Sequence, residues 1–174
     1  LKVERANTLN RHFAKIFLGQ EGAEHELESA HINAELCGEF GFPVMGIQCF
    51  QAGQLGTFPK SLHERITNPD GSSHYRMDLT DALKEQPAPE GAPTHDELWE
   101  RTLHIFRETA PVAESADIKL AMHGNDPPVP ALYGVPQILY NFDAFDRLFS
   151  EVDSPANCMT YCVGTRYESG EDVF

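Results

Sequence analysis

The sequence contains no uninterrupted apolar run approaching the roughly 18 or more residues that a transmembrane helix requires. It also shows no charged and then apolar leader of the secretory type at its N-terminus. Basic residues are scarce, 13 against 27 acidic ones, and they are scattered singly, which leaves a net charge of −14. These absences make a membrane and nucleic acid poor partners, although a local cation or a bound metal could still attract an anionic small molecule.

Cysteine is also sparse. The four cysteines, Cys37, Cys49, Cys158 and Cys162, show no Cys-x-x-Cys spacing. A chain of this size with so few cysteines in this arrangement has neither the pattern of a disulfide framework nor that of a zinc ribbon. We therefore expect a reducing, cytoplasmic setting.

What is present is the composition of an ordinary globular protein, with 174 residues of which 41% are hydrophobic, enough for one core. No internal repeat or low-complexity tract divides the chain, so we predict that residues 1–174 form a single domain. The chain begins with Leu1, and residues 170–174 resemble the start of an interrupted amphipathic helix. We expect the central fragment of a longer protein, truncated at both ends.

Three segments show a helical pattern followed by a short apolar run typical of a buried strand. The predicted helices span 23–40, 94–116 and 143–152, and the predicted strands span 44–50, 118–123 and 158–162. The second helix opens on Thr94 and Glu97, whose spacing is that of a capping box. Residues 51–93, rich in Gly, Pro, Asn and Ser, are predicted to form a long loop on the active face of the fold.

Helices that alternate with strands imply parallel strand pairing, either in an open doubly wound sheet or in a (β/α)8 TIM barrel. The glycine-rich phosphate fingerprint of dinucleotide-binding folds follows none of the three predicted strands. We therefore predict an α/β fold in the form of a partial (β/α)8 barrel. In such a barrel the functional side chains gather where strands end and the following loops begin.

His123 and Cys162 each end a predicted strand and precede a polar loop that contains glycine. If these strands are neighbours, the two side chains can share one ion, because adjacent strands lie about 5 Å apart. A lone histidine at a strand end is more often a satisfied polar residue, and a strand cysteine is more often a small buried hydrophobe. Position alone leaves both interpretations open.

Four local segments carry more specific information. They are His-Gly-Asn-Asp-Pro-Pro-Val-Pro at 123–130, Gly-Val-Pro-Gln-Ile at 134–138, Val-Asp-Ser-Pro-Ala-Asn at 152–157 and Met-Thr-Tyr-Cys-Val-Gly-Thr at 159–165. Together they resemble the mannonate dehydratase family, which typically shows His-Pro-Asp-Asp-Pro-Pro, Gly-x-Pro-Arg-Ile, Asp-Ser-Pro and Leu-Thr-x-Cys-x-Gly in the same order. The resemblance is strong from about 97 to 173 and weak before Pro93.

The resemblance implies a (β/α)8 barrel related to xylose isomerase that converts D-mannonate to 2-keto-3-deoxy-D-gluconate and water with a divalent metal, Mn²⁺ first. His123 matches the family's first metal-binding histidine and Cys162 its metal-binding cysteine. The remaining family ligands, a second histidine and an aspartate, lie on later strands and are expected beyond residue 174. Fe²⁺, Co²⁺ and Zn²⁺ are the alternative ions, because a soft thiolate disfavours Mg²⁺ and Ca²⁺.

Three positions depart from the family pattern. Gly124 and Asn125 stand in place of Pro-Asp, and Gln137 stands in place of Arg. If the missing Arg contacts the substrate carboxylate, another sugar acid is the substrate. A xylose isomerase-like sugar isomerase or epimerase, and a catalytically silent barrel used for binding, are the alternative functions. The fragment alone is predicted to be inactive, because half of the ligands are missing and an incomplete barrel exposes unpaired strand edges.

Four further residues are candidates for substrate contact or for support of the metal ligands. Asp126 could orient His123 or belong to the turn chemistry of Asn-Asp-Pro, which includes Asn125. Arg166 and Glu168 follow the predicted cysteine ligand on the expected active face, where they could bind substrate or form a surface ion pair. No catalytic acid or base is assigned. The expected partner is a small sugar acid, and a homo-oligomer is left open.

Overall fold

The computed structural model describes residues 2–8, 12–55 and 63–174. In chain order the strands are β1 (Ala6–Asn7), β2 (Val44–Gln48), β3 (His63–Thr67), β4 (Ser73–Met77), β5 (Lys119–His123), β6 (Ala131–Leu132), β7 (Val135–Pro136) and β8 (Asn157–Thr160). The helices are α1 (Ala14–Leu18), α2 (Glu24–Glu39), α3 (His95–Ser115), α4 (Phe142–Glu151) and α5 (Val163–Glu168), with a 3-10 turn at Ala52–Leu55. No helix in these ranges has both the length and the apolar character needed to cross a bilayer.

A parallel sheet of four strands organises the fold, in the order β1-β2-β5-β8. Helices separate these strands along the chain, as they do in successive βα units of a (β/α)8 barrel. Gln48, His123 and Thr160 are in register at the carboxyl-terminal edge of β2, β5 and β8. The predicted α/β fold with parallel strands is confirmed.

The two faces of the sheet differ in character because successive strand residues point to opposite sides. One face carries large apolar side chains that are buried in the same core as the helices, namely Met45, Ile47, Leu120 and Met122. His123 follows Met122 and therefore lies on the opposite face, which is the interior side in a barrel. Gln48, His123 and Thr160, which are in register, therefore face the side that is the lumen of a closed barrel.

The longest helix begins where the sequence predicts it. The Glu97 backbone N–H donates to Thr94 Oγ1 at 3.3 Å, and the Thr94 backbone N–H donates to Glu97 Oε2 at 2.8 Å, which completes the capping box. One face of α3 is buried, and at its end Ala116 packs against Gly38 of α2. These contacts hold α2 and α3 side by side over the outer face of the sheet.

Three details differ from the sequence-based expectation. The region 51–93 is not one irregular loop, because it contains the 3-10 turn and an antiparallel hairpin of β3 and β4, while residues 56–62 lie outside the described residues. Strand β1 is too short, at two residues, to leave a periodic pattern. Strand β8 ends at Thr160 rather than at 162, so Cys162 is the N-cap residue of α5 instead of the last residue of a strand.

Candidate metal centre

His123 is the last residue of β5 and is only partly buried. Its Nδ1 atom lies 2.8 Å from the carbonyl oxygen of Gly124. A carbonyl oxygen can only accept a hydrogen bond, so Nδ1 carries the proton and donates it. The lone pair of the neutral ring is then on Nε2, which is the arrangement that backbone carbonyls impose on metal-binding histidines.

Cys162 begins the turn into α5, and its sulfur accepts a hydrogen bond from Thr165 Oγ1 at 3.1 Å. Hydrogen bonds from the side chain and backbone of Thr165 lower the pKa of the Cys162 thiol, and interaction with His123 lowers it further against the opposing effect of burial. A lowered pKa favours the thiolate, which is the form that binds metals. Local structure therefore prepares this sulfur as a ligand.

The fold brings His123 and Cys162 close to each other, because the His123 side chain is among the groups that lower the pKa of the Cys162 thiol. One imidazole nitrogen and one thiolate form a donor set that fits Mn²⁺, Fe²⁺, Co²⁺ or Zn²⁺ better than the harder Mg²⁺ or Ca²⁺. Across residues 2–8, 12–55 and 63–174, no group of three His, Cys, Asp or Glu side chains is close enough to hold an ion. The pair fits half of a metal site.

Asn125 and Gln137 belong to the segment between β5 and α4, and both are about 1% exposed. Their side chains form a hydrogen bond to each other. Asn125 Nδ2 donates to Gln137 Oε1 at 3.2 Å and to the Phe50 carbonyl at 2.8 Å. Gln137 Nε2 donates to the carbonyls of Pro127 and Val129, each at 3.0 Å. Both amides are occupied inside the protein and neither faces the solvent.

Asp126, for which both an orienting contact to His123 and turn chemistry were considered, is exposed and precedes a cis peptide bond to Pro127. The Nδ1 atom of His123 already donates to the carbonyl of Gly124. Within the described part of the chain, no hydrogen bond joins Asp126 to His123. The contact that orients His123 is therefore made by the Gly124 backbone carbonyl.

Arg166 and Glu168 lie in the same short helix but in different environments. Arg166 is only 1% exposed, its Nη1 lies 3.3 Å from Glu171 Oε2, and its guanidinium carbon is 5.6 Å from the centre of the Phe145 ring. Its Nη2 is buried and makes no hydrogen bond to the described residues. Glu168 is exposed. Among residues 2–8, 12–55 and 63–174, neither residue forms the surface ion pair considered from the sequence.

Two contributors were not singled out by the sequence. Thr165 supports the sulfur of Cys162, and its spacing of three residues along a helical turn is a signal that could have identified it. Glu171 accepts hydrogen bonds from the backbone N–H of Phe142 and from Ser169 while it pairs with Arg166. No local pattern indicates Glu171, because its partners come from α4 and α5.

Sequence comparison adds the following relatives. A family model described as D-mannonate dehydratase (UxuA) matches residues 61–173, more than half of the chain. Mannonate dehydratase 1 of Halalkalibacterium halodurans is 44% identical over 69 residues, which is 40% of this chain and 19% of that protein. The mannonate dehydratase of Thermotoga neapolitana is 32% identical over 115 residues, which is 63% of this chain and 31% of that protein.

Structural comparison covers almost the whole chain. The crystal structure of mannonate dehydratase from Streptococcus suis serotype 2 superposes with a TM-score of 0.75 at 25% identity, covering 96% of this chain and 48% of that chain. A xylose isomerase-like TIM barrel protein from Mycobacterium smegmatis superposes with a TM-score of 0.56 at 14% identity, a likeness in fold alone. The chain thus corresponds to about half of the solved mannonate dehydratase.

Proposed function

The chain belongs to the D-mannonate dehydratase family, and from this membership we propose that the protein containing it is a metal-dependent sugar-acid dehydratase. The proposed reaction is the conversion of D-mannonate to 2-keto-3-deoxy-D-gluconate and water. The matched parts span less than a third of the curated relatives' length, so the proposal concerns the complete protein rather than these residues alone.

The observation that carries the proposal is the contact between His123 and Cys162. The two residues are far apart in sequence, yet they meet at the carboxyl-terminal ends of neighbouring parallel strands. This end of a (β/α)8 barrel is where active sites are built. Nε2 of His123 and the Cys162 thiolate would hold the divalent ion, with Mn²⁺ proposed first and Fe²⁺, Co²⁺ or Zn²⁺ as alternatives.

The reaction explains why such an ion is useful. Dehydration removes a proton from the carbon next to a carboxylate, and hydroxide leaves from the neighbouring carbon. When bound, a divalent ion supplies Lewis acidity and orients the substrate. This chain's own residues prepare two donors. The Gly124 carbonyl keeps the His123 proton on Nδ1, and the hydrogen bonds from Thr165 lower the pKa of the Cys162 thiol.

The other ligands are proposed to come from outside this chain. The described residues supply two donors, and structural likeness covers half of the solved mannonate dehydratase. A (β/α)8 barrel has eight strand ends, of which this sheet provides four. We therefore propose that the second histidine and the aspartate implied by the family resemblance lie on strands that follow residue 174.

The test is product analysis with the full-length gene product that contains this chain. Loaded with Mn²⁺ and supplied with D-mannonate, it is expected to form a keto-deoxy acid that is lighter than the substrate by one water. His123→Ala and Cys162→Ala should each lower metal affinity by more than the roughly 10- to 100-fold that loss of a supporting hydrogen bond produces. His104→Ala and Cys158→Ala are the matched controls, because His104 is exposed on α3 and Cys158 is partly buried within β8.

The alternatives give different outcomes. A metal-loaded protein that forms no keto-deoxy acid but converts a sugar to its isomer or epimer would replace the dehydratase by a xylose isomerase-like enzyme. A protein that takes up no metal, and whose His123 and Cys162 variants behave like the parent, would be a silent barrel used for binding.

A further inference from the structure

The geometry points to Asn125 and Gln137 as one coupled clamp that positions His123, so that the residues at these two places can be exchanged only together. The inference rests on the proposed function in one respect, the role of His123 as a metal ligand. Coupling between positions 125 and 137 follows from the hydrogen bonds alone. It also gives Gln137 a structural role in the loop, whereas the sequence alone suggested that this position determines substrate choice.

The clamp carries no charge, and its two side-chain amides form their hydrogen bonds with other groups of the protein. Asn125 Oδ1 accepts from the Leu139 backbone N–H at 2.9 Å, while its Nδ2 donates to Gln137 Oε1 and to the Phe50 carbonyl. The two donors of Gln137 Nε2 are both used on carbonyls of the loop. Every donor of the two amides has an acceptor, as buried polar groups require. A substrate could reach neither amide without breaking these bonds.

The clamp reaches His123 through one peptide group. The Asn125 backbone N–H donates to the Leu139 carbonyl at 2.8 Å. The N–H of Asn125 and the C=O of Gly124 belong to the same planar peptide, so fixing one fixes the other. That C=O accepts from His123 Nδ1. The orientation of the imidazole is therefore set by the same loop contacts that Asn125 and Gln137 hold in place.

Gly124 allows this close approach. A Cβ atom at position 124 would lie 2.7 Å from the Leu139 carbonyl oxygen and 2.9 Å from Arg166 Nη2. Cβ atoms do not approach other heavy atoms this closely. The start of the loop can therefore pack against the Leu139 carbonyl only because residue 124 has no side chain. The bond from Asn125 to the Phe50 carbonyl then ties the loop to the segment that follows β2.

A single charge introduced into the clamp has no opposite charge on the other clamp residue. With Asn125→Asp alone, a carboxylate would face two acceptors, the Phe50 carbonyl and Gln137 Oε1. With Gln137→Arg alone, a guanidinium would face the donor Nδ2 of Asn125. An unpaired buried charge is strongly destabilising, whereas a carboxylate and a guanidinium together form charge-assisted hydrogen bonds.

The experiment is a double-mutant cycle on the full-length protein with Asn125→Asp, Gln137→Arg and the double variant. Two quantities are measured: the midpoint of thermal unfolding, and Co²⁺ affinity from the absorption of the cobalt-thiolate bond. Each single variant is expected to lower the midpoint and to weaken Co²⁺ binding about 10- to 100-fold, the range for lost support of a ligand. The double variant is expected to recover at least half of both losses.

The matched control is the cycle of Asn68→Asp and Gln86→Arg, in which both residues belong to the region 51–93 and make separate hydrogen bonds. Their effects should simply add.

If a single clamp variant does not fold, a folded double variant is itself the rescue, and an unfolded double variant contradicts the coupling. Additive losses in the clamp variants also contradict the coupling between positions 125 and 137. Unchanged Co²⁺ affinity in destabilised single variants would show that the clamp does not position His123. A parent protein that binds no Co²⁺ overturns the proposed metal site, while the unfolding cycle still decides the coupling.

Discussion

At the residue scale, cysteines of this chain differ because their surroundings differ. Hydrogen bonds from Thr165 lower the pKa of Cys162, whereas complete burial raises the pKa of Cys49 to about 12. Burial also raises the pKa of Cys37 inside α2. Only a thiolate reacts rapidly with alkylating reagents. The thiols should therefore react in a clear order.

We predict that Cys162 of the metal-free protein is alkylated by iodoacetamide at a pH where Cys49 and Cys37 remain unmodified. Thr165→Val should move the alkylation profile of Cys162 to higher pH, because it removes the largest cause of the lowered pKa. Peptide mapping by mass spectrometry across a pH series measures both effects. Thr109→Val is the matched control, since Thr109 is buried in α3 and its hydroxyl has no partner among the described residues. Equal profiles in Thr165→Val and the parent would contradict the assignment.

The same shift has a consequence for folding. The pKa of Cys162 is lower in the folded protein than the ordinary value of 9.0. The folded state then holds the thiolate where the unfolded chain still holds the thiol, so this residue stabilises the fold increasingly as pH rises toward that ordinary value. The contribution is lost as pH falls through the folded pKa. Thr165→Val should reduce this rise in the free energy of unfolding.

At the element scale, the distance between α2 and α3 is set by a glycine. A Cβ atom at Gly38 would lie 2.6 Å from the Ala116 carbonyl oxygen and 2.9 Å from the Ala116 Cβ. Both neighbours are backbone or directly attached to it, so they cannot rotate away. The helical Gly164 of α5 offers a contrast, because a Cβ there has no neighbour within 4 Å.

Gly38→Ala is predicted to lower the free energy of unfolding by about 1–3 kcal/mol, the usual effect of overpacking. Alanine is the better helix former by roughly 0.8–1 kcal/mol, so the clash must exceed that gain. Gly164→Ala, which has the gain without the clash, should be neutral or slightly stabilising. Urea unfolding of the two variants and the parent compares them directly. Equal stability of all three proteins would show that α2 moves to admit the methyl group.

The hairpin of β3 and β4 shows where element prediction from sequence is weak. Its strands are mostly polar and exposed, so they lack the alternation of apolar and polar residues that marks a half-buried strand. The turn between them contains Asn68, Asp70 and Gly71, a combination that favours reversal of the chain. That turn was the available signal. Pairing of one strand with the other, rather than burial, maintains this element.

At the scale of the whole molecule, the sheet has two outer strands, β1 and β8, each paired on one side only within the described residues. Apolar side chains are exposed beside both. On the β1 side, Leu36 is 39% and Phe40 is 64% exposed, next to a cavity of about 450 Å³ between α2 and the sheet. Tyr161 and Val163 are exposed just after β8. In a closed barrel these flanks meet further strands and helices.

The 174-residue chain expressed alone is predicted to lack turnover, to bind a hydrophobic dye and to associate as its concentration rises. The double variant Leu36→Glu with Phe40→Glu should reduce the association measured by light scattering. Leu83→Glu is the control, because Leu83 is exposed in the region 51–93 and does not line the cavity beside β1. A monomeric chain that binds no dye and dehydrates D-mannonate would contradict the proposal that further strands complete the site.

Much of the fold could be predicted from the sequence because the signals are local. Helical periodicity, the capping box at Thr94 and Glu97, and apolar runs of strand length all depend on residues close together in the chain. The positions of His123 and Cys162 near strand ends are local in the same sense, although β8 ends at Thr160, two positions before Cys162. Strands that lack an apolar pattern, such as β1, were not predicted because they carry no such local signal.

What only the tertiary structure decided involves partners distant in sequence. The contact of His123 with Cys162 depends on the parallel register of β5 and β8. Burial of Arg166 depends on α4, and the bond between Asn125 and Gln137 depends on how one loop folds back on itself. The sequence by itself determined which residues are chemically suited to a metal site. Backbone packing determined which of them meet, because hydrogen bonds and metal ligation act over a few ångströms while sequence patterns carry no distances between remote residues.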